Sequence, residues 1–466
     1  MSLSKANSIV PRPNWFFPRL DSIIMKKTLH YLTLAALLTA GPLVSCNSKL
    51  DVEPVDRVRA EKALLTSADV ESALVGSYSA LSSNRLYGGY IQFIADLLGD
   101  NGDIAFVGTF TQPREFIQKT ILVNNTFAAA TWTDAYQTIN ITNNVLANLD
   151  KVVAVRKERV EGEAKFIRAS LFFELARLYG RDWSDGNPQT NLGVPLVLTP
   201  TAQVNNASLV SRKTVAEVYA QVITDLTTAE AKLPAGNGFF ATKGAAAAML
   251  ARVYLQQARY AEARDAANRV LASGRYPLVP SFEQEFTTTT NTSEDIFAIQ
   301  ITAQDGLNDL NTYYSSSQRS DIEVDPSFIA LYGAIDERGK FFDSKTYTLK
   351  FDQQYSNVKV VRAAEMYLIR AEANLRLATQ VGATPLDDVN TVRGRAGAPN
   401  RATVVLSDII LERRLELAFE GFRIHDVKRL KQNVGSLPFN SPKLVLPIPQ
   451  RERDVNPNLV QNPGYI

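Results

Sequence analysis

Cysteine and histidine are almost missing from this chain: one cysteine, Cys46, and two histidines, His30 and His425, occur in 466 residues. No disulfide can form within the chain, and a protein of this length needs none, because it buries a large apolar core. An excess of charge of one sign is also lacking, with 50 basic against 48 acidic side chains. No block of Lys and Arg could neutralise a phosphate backbone, which argues against nucleic acid as a partner. Long apolar runs are scarce too. The run from Leu29 to Val44 has 16 residues and contains the Gly41-Pro42 pair, too short and too broken for a spanning helix.

That run is informative for what surrounds it. Met25, Lys26 and Lys27 open a positively charged stretch, the apolar segment follows, and Leu43-Val44-Ser45-Cys46 closes it, the layout of a secretory signal peptide. The last four residues resemble the lipobox of bacterial lipoproteins, in which cleavage leaves Cys46 as a lipidated N-terminus. Several acyl chains anchor nearly permanently where one does so only marginally. Residues 1 to 24 do not fit a signal, and Met25 is the expected start. Cleavage removes Lys5, Arg12, Arg19, Lys26, Lys27 and Asp21, so the 50 bases and 48 acids become 45 and 47. The expected organisation is an extension and signal peptide over 1–45, a lipidated polar linker over 46–60, and one domain over 61–466.

With His30 removed and Cys46 acylated, catalytic options narrow. A Cys nucleophile, a multi-histidine zinc site and a helical zinc-protease motif are excluded, and a Ser-His-Asp arrangement would have to use His425. A carboxylate pair for glycoside cleavage stays open, since acids are abundant. Nothing in the sequence asks for a metal or cofactor. The acidic turn Gly99-Asp100-Asn101-Gly102-Asp103 lacks the full twelve-residue calcium loop with its terminal Glu, and reads as a turn before it reads as a calcium site.

The apolar pattern predicts a mainly α fold, with helices over about 68–82, 130–152, 158–179, 213–232, 241–257, 260–273, 360–378 and 406–430. Leu250, Tyr254, Ala258, Tyr260, Ala263, Ala267 and Val270 follow the large and small spacing of a tetratricopeptide repeat, although an ordinary helical hairpin also accommodates it. One such pair cannot bury its own apolar face, so the pairs at 130–179 and 360–395 are expected to stack with it. Between the helices lie segments rich in Gly, Pro, Asn, Ser and Thr: 83–126, 180–212, 276–359 and 432–466. A strand is expected within Ser293 to Thr302.

Glu412, Glu416 and Glu420 lie four apart on the expected 406–430 helix and would repel unless cations answer them. Structural ion pairs are the expectation, with Arg413, Arg423 and Arg429 in reach of that stripe or of neighbouring helices. Gly421 in mid-helix is costly against Ala and predicts a close backbone neighbour.

The loop segments carry the parts needed to bind a sugar, flat aromatic faces with amides and carboxylates beside them. The first offers Tyr87, Tyr90, Phe106 and Phe110 with Asn84, Asp100 and Asn101. The second offers Trp183 with Asp182, Asp185 and Asn187. The third offers Tyr313 and Tyr314 among Asn308, Asp309, Asn311, Gln318 and Arg319. Each ring is also a candidate for packing its own loop.

The run Leu411-Glu412-Arg413-Arg414-Leu415-Glu416-Leu417-Ala418-Phe419-Glu420-Gly421-Phe422-Arg423, continuing through Asp426 to Lys428-Arg429, resembles the C-terminal helix of the SusD/RagB outer-membrane nutrient-binding lipoproteins of Bacteroidetes. Ala164 to Ala169 with Leu178-Tyr179-Gly180, Glu365 to Ala373, and Asn456-Pro457-Asn458-Leu459 with Gln461 to Tyr465 are similar in the same order. The resemblance implies a superhelix of tetratricopeptide-like helix pairs carrying a loop-rich, ligand-holding region. It implies a partner as well, a SusC-like TonB-dependent transporter that receives oligosaccharide or, in some members, peptide. The first and third loops are where the family holds ligand. A helical scaffold for peptide or protein, and an all-helical glycoside hydrolase, are the alternatives.

Overall fold

The computed structural model describes residues 63–465 apart from 204, 305–307 and 345. The segment 1–45, Cys46 and the linker to residue 60 lie outside the described residues.

The helices open with α1 (Ser67–Leu81), α2 (Tyr90–Gly99), α3 (Thr111–Gln118), α4 (Thr126–Ala147), α5 (Ala154–Tyr179), α6 (Val215–Lys232), α7 (Lys243–Gln256) and α8 (Tyr260–Ala272). Short α9 (Phe282–Phe286), α10 (Asp309–Tyr314) and α11 (Pro326–Ile329) follow, then α12 (Ala363–Leu377), α13 (Pro385–Arg395), α14 (Leu406–Glu416), α15 (Arg423–Arg429) and α16 (Gln450–Val455). Reciprocal capping boxes start three of them, through Thr66 with Asp69, Thr214 with Glu217 and Thr384 with Asp387; each satisfies backbone donors that a helix start leaves unpaired.

The expected helix pairs stack. Helix α5 packs on α4 and α6, α6 on α7, α7 on α8, α8 on α12, and α12 on α13 and α14. Ala245, Ala246, Ala247 and Ala248 are all buried on α7, so neighbouring helices approach it on every side. Ala263, Ala267 and Val270 of the tetratricopeptide spacing are buried, and Ala258 makes the turn with φ +56°.

The segments between these pairs are more ordered than their composition predicts. Segment 83–126 holds α2, α3 and strand β1 (Ile104–Phe106). Segment 276–359 holds α9 to α11 with β2 (Asp295–Ile299), β3 (Ile322–Val324), β4 (Phe342–Asp343), β5 (Tyr347–Thr348) and the start of β6 (Val358–Arg362). Three two-stranded antiparallel ladders result, β1 with β3, β2 with β6, and β4 with β5. The strand expected within 293–302 is β2, all five residues of which are buried. Its partner β6 corrects the expected 360–378 helix, which begins three residues later. Val358, Val360 and Val361 suit a strand better than a first helical turn.

The 406–430 helix is corrected more deeply. It is two helices, α14 and α15, separated by a turn in which Phe419 has φ +67° and Gly421 φ +83°. Lys350 Nζ donates to the carbonyls of Glu416 and Ala418 at 2.9 and 3.0 Å, and Arg362 donates to that of Glu416 at 2.7 Å. Cations thus take the last carbonyls of α14 and end it. The close neighbour expected at Gly421 is real: a Cβ there would lie 2.7 Å from Gln92 Cα.

The glutamate stripe is buried and paired as expected, and of the two settings open to Arg413, Arg423 and Arg429 it is the neighbouring elements that take them. Glu412 meets Arg338 and Arg393, each at 2.7 Å. Glu416 meets Arg362 at 2.6 Å, Arg338 at 3.1 Å and also Arg395. Glu420 meets Lys350 at 2.6 Å and Arg362 at 2.8 Å. Arg413, Arg423 and Arg429 turn elsewhere, to Glu365 and Asp426, to Asp103, and to Glu372 and Asp426 respectively. The answering cations come from β6, α13 and the third loop, a long-range choice with no local signature.

Two stability predictions follow from these burials. Arg362→Met leaves Glu416 and Glu420 short of a partner in a dry site, and should lower unfolding stability by about 3–5 kcal/mol in denaturant titration. Asp96 is buried, and burial lifts its carboxyl to about 7 even though it accepts hydrogen bonds from the Gly421 N–H and the Tyr314 hydroxyl. A raised folded pKa means stability that is full below the unfolded value near 3.8 and lost as pH rises through about 7. Asp96→Asn should therefore flatten the melting temperature between pH 4 and pH 7 and match or exceed the parent above it.

Candidate functional site

The first and third loops meet at the start of α2. Gly88 and Gly89 let them close: the Asp309 N–H donates to the Gly88 carbonyl at 3.1 Å, and a Cβ on Gly89 would lie 2.6 Å from Asp309 Cβ. Asn84 Nδ2 then donates to Asp309 Oδ2 at 3.0 Å. On the third loop, buried Asn308 caps α10 through its side-chain oxygen, and its Nδ2 reaches the Ser356 carbonyl at 3.1 Å. Buried Asn311 donates to the Phe351 carbonyl at 2.8 Å. These amides satisfy loop backbone that would otherwise be desolvated without a partner, and they hold Asp309 in place.

Around this joint the side chains form a shallow polar and aromatic platform. Tyr90, half-buried, stacks on Phe127 at 4.4 Å and 12° and meets Phe93 edge-on at 5.4 Å. Its hydroxyl shares a hydrogen bond with that of Tyr313, whose ring stacks on Phe93 at 4.8 Å. Burial, then the nearby Asp309 carboxylate, raises the Tyr90 hydroxyl above its ordinary range, so it stays protonated and can donate or accept. Burial also raises Asp309, against the hydrogen bonds from Asn84 and Thr312. Arg85 pairs with Asp134 at 3.4 Å, and Ser83 donates to the same carboxylate. At the far margin the Arg319 guanidinium lies 4.0 Å over the exposed Phe110 ring, with its Nε on Asp321 at 2.9 Å. The Arg319 N–H donates to the Thr312 carbonyl, and Thr312 Oγ1 to Asp309, which ties that margin to the joint.

Of the tyrosines named from the sequence, this platform holds Tyr90 at its surface with Tyr313 beneath. Tyr87, Tyr313 and Tyr314 are corrected as solvent-facing rings, because all three are buried. Tyr87 donates to Glu174 at 2.9 Å and Tyr314 to Asp96 at 3.2 Å, the partners that buried hydroxyls require. Phe106 is half-buried on β1 opposite Ile322. Trp183 is half-buried and packs on Tyr219 at 5.1 Å, against the helical scaffold and apart from the joint.

Asp100 and Asn101 sit at the other end of α2 from Tyr90, about 15 Å away by helix rise. They line an open cleft of about 470 Å³ with Gln118, Lys119, Ser436 and Lys443. Asp100 is a turn cap: its carboxylate accepts the N–H groups of Gly102, Asp103 and Ile104. Asn101 accepts the Gly435 N–H at 2.7 Å. Burial lowers the Lys119 ammonium to about 8, and its Nζ serves the carbonyls of Leu97 and Ile117. No aromatic face lines this cleft. Among the described residues no cluster of His, Cys, Asp and Glu side chains could hold a metal ion. His425 is buried, and burial with Arg177, Lys428 and Arg252 nearby pushes its pKa well below the usual histidine value.

The sequence left Arg85, Phe93, Phe127 and Asp134 unmarked. Phe127 and Asp134 come from α4, more than thirty residues beyond Tyr90, and only the packing of α4 beside α2 brings them in.

Comparison with known proteins agrees with this architecture. Residues 51–255 match a family model described as starch-binding and associating with the outer membrane, and residues 311–437 match the SusD family model. SusD-like protein P2 of Formosa agariphila is 26% identical over 95% of this chain and 100% of its own length. A SusD superfamily crystal structure from Bacteroides thetaiotaomicron superposes with a TM-score of 0.78 at 25% identity, over 86% of this chain and 100% of that one. A laminarin-binding SusD-like protein shares the fold, with a TM-score of 0.69 at 23% identity over 86% of this chain and all of its own. With a helical scaffold, a loop-built platform and matches in both halves, the chain belongs to the SusD family of carbohydrate-binding proteins.

Proposed function

We propose that this protein is a lipoprotein held through Cys46 at the outside of the outer membrane, binding glycan at the Tyr90–Asp309 joint and delivering it to a SusC-like TonB-dependent transporter. The observation that carries the reading is the joint itself. A half-exposed tyrosine ring on a rigid aromatic stack offers a flat face to a pyranose, while Asn84, Asp309 and Arg85 offer hydrogen-bonding groups to its hydroxyls. Rings already held by Phe93 and Phe127 lose little freedom when ligand arrives, which favours binding. The laminarin-binding relative supports a β-glucan or other neutral polysaccharide as ligand class. No helix among the described residues is long and apolar enough to cross a membrane, and the lipobox supports acyl anchoring instead. In this reading the protein binds glycan without cleaving it, which its SusD-family matches support.

Affinity gels cast with laminarin, starch, xylan, pectin and alginate test the binding site. One polysaccharide should retard the protein without appearance of shorter products. Tyr90→Ala should weaken retention about tenfold, or ~1.4 kcal/mol, while Trp183→Phe should leave it unchanged. Unaltered retention by both Tyr90→Ala and Asp309→Ala would reject the site. The anchor is tested separately, since Cys46→Ser should abolish incorporation of labelled fatty acid and release the protein from the membrane fraction.

A further inference from the structure

A second groove, about 210 Å³, opens where the turn between α6 and α7 faces β2. Phe239, Phe240, Arg275, Tyr276, Asn237 and Asn291 line it. Phe239 is 62% exposed, the most exposed aromatic side chain among the described residues. A single exposed ring is ordinary on a protein surface, but this one stands on the rim of a groove.

The rest of the groove is built rather than open. Phe240 is fixed on Tyr78 of α1 at 4.8 Å, and the Tyr78 hydroxyl accepts the Ala241 N–H at 3.0 Å. The Tyr276 and Thr242 hydroxyls bond at 2.9 Å, and Asn237 donates to Glu163 at 3.0 Å. Gly236 leaves room for Arg275, whose Nη2 would lie 2.9 Å from a Cβ there. Charge is simple: the Asp295 carboxylate is already answered by Lys359 at 2.9 Å and by the Thr292 N–H at 2.8 Å. Arg275 is thus the lining charge left for a ligand, and no carboxylate partner holds its guanidinium among the described residues. A flat face beside five guanidinium N–H donors suits the apolar face and oxygen-rich edge of a sugar.

Two short connections join this groove to the Tyr90–Asp309 joint. Tyr78 lies in the last turn of α1, five residues before Ser83 and six before Asn84 of the joint. On the other margin Asn308 reaches Ser356, and Asn357 donates to Asn291 of the groove at 2.7 Å. We infer that the Phe239–Arg275 groove is a distal subsite that holds a second segment of the same glycan chain. The inference rests on the glycan reading of the joint. Two weak sites on one rigid body act on a long chain with a high effective concentration, whereas a short chain gains from one site only.

The test uses the full mature protein and a size-graded ladder of oligosaccharides prepared by partial acid hydrolysis of whichever polysaccharide the affinity gels retain. Isothermal titration should show affinity rising with chain length in the parent. Phe239→Ala and Arg275→Ala should each flatten that rise, costing long chains about tenfold and leaving short chains unaffected, with Arg275→Lys restoring part of the loss. Tyr90→Ala should weaken short and long chains alike. A length profile unchanged in Phe239→Ala overturns the subsite while the Tyr90 effect leaves the joint standing. Loss of transporter association in Phe239→Ala at unchanged glycan affinity also overturns it and assigns the ring to a protein interface. Failure of every polysaccharide to bind overturns both readings.

Discussion

The structure depends on burying three glutamates. Glu412, Glu416 and Glu420 are removed from water at the end of α14, and each carboxylate left alone there would be prohibitive. Burial disfavours the charge on Glu416, yet Arg395, Arg362 and Arg338 hold its carboxyl well below the usual carboxylate range. Those cations arrive from α13, β6 and the third loop, so satisfying one stripe of acids brings three distant segments to one place. Replacing such a network by apolar side chains is often neutral, while removing one member is severe. The network therefore serves best as a device that fixes arrangement.

Its consequences reach the aromatic platform through one turn. Because Lys350 and Arg362 take the α14 carbonyls, the helix stops, Gly421 adopts a positive φ, and its backbone lies against Gln92. The Gly421 N–H then reaches Asp96. Helix α2 is thus clamped in its middle, with Tyr90 at one end and the Asp100 turn at the other. The C-terminal segment does the same for the second loop: Asn462 accepts from Arg212 and donates to the carbonyls of Tyr179 and Leu446. The family-like C-terminal motif, expected from the sequence to carry structural ion pairs, is a strap in space.

The platform combines stiffness below with exposure above. Phe93, Phe127 and Tyr313 form the underlying stack, and they fix the angle of Tyr90. Glycan surfaces gain from such preorganisation, because weak stacking contacts cannot repay much lost side-chain freedom. The exposed rings Phe110 and Phe239 each have an arginine nearby, stacked at 4.0 Å in the first case and lining the same groove in the second.

The sequence by itself determined the helical scaffold, because the apolar periodicity of α1, α4 to α8 and α12 is local, and Thr66, Asn125, Thr214 and Thr242 cap the starts of α1, α4, α6 and α7. It also determined that the chain has one cysteine and two histidines, which excludes a disulfide within the chain, all facts of composition. Tertiary structure decided which aromatics face solvent: Tyr87, Tyr90, Tyr313 and Tyr314 look alike in sequence, yet three are buried, a matter of which neighbours from distant segments cover each ring. It decided the break after α14 as well, since Lys350 and Arg362 lie more than fifty residues before the carbonyls they cap. Local pattern encodes which segments are helical; partners far along the chain encode where a helix ends, which charges meet and which ring stays exposed.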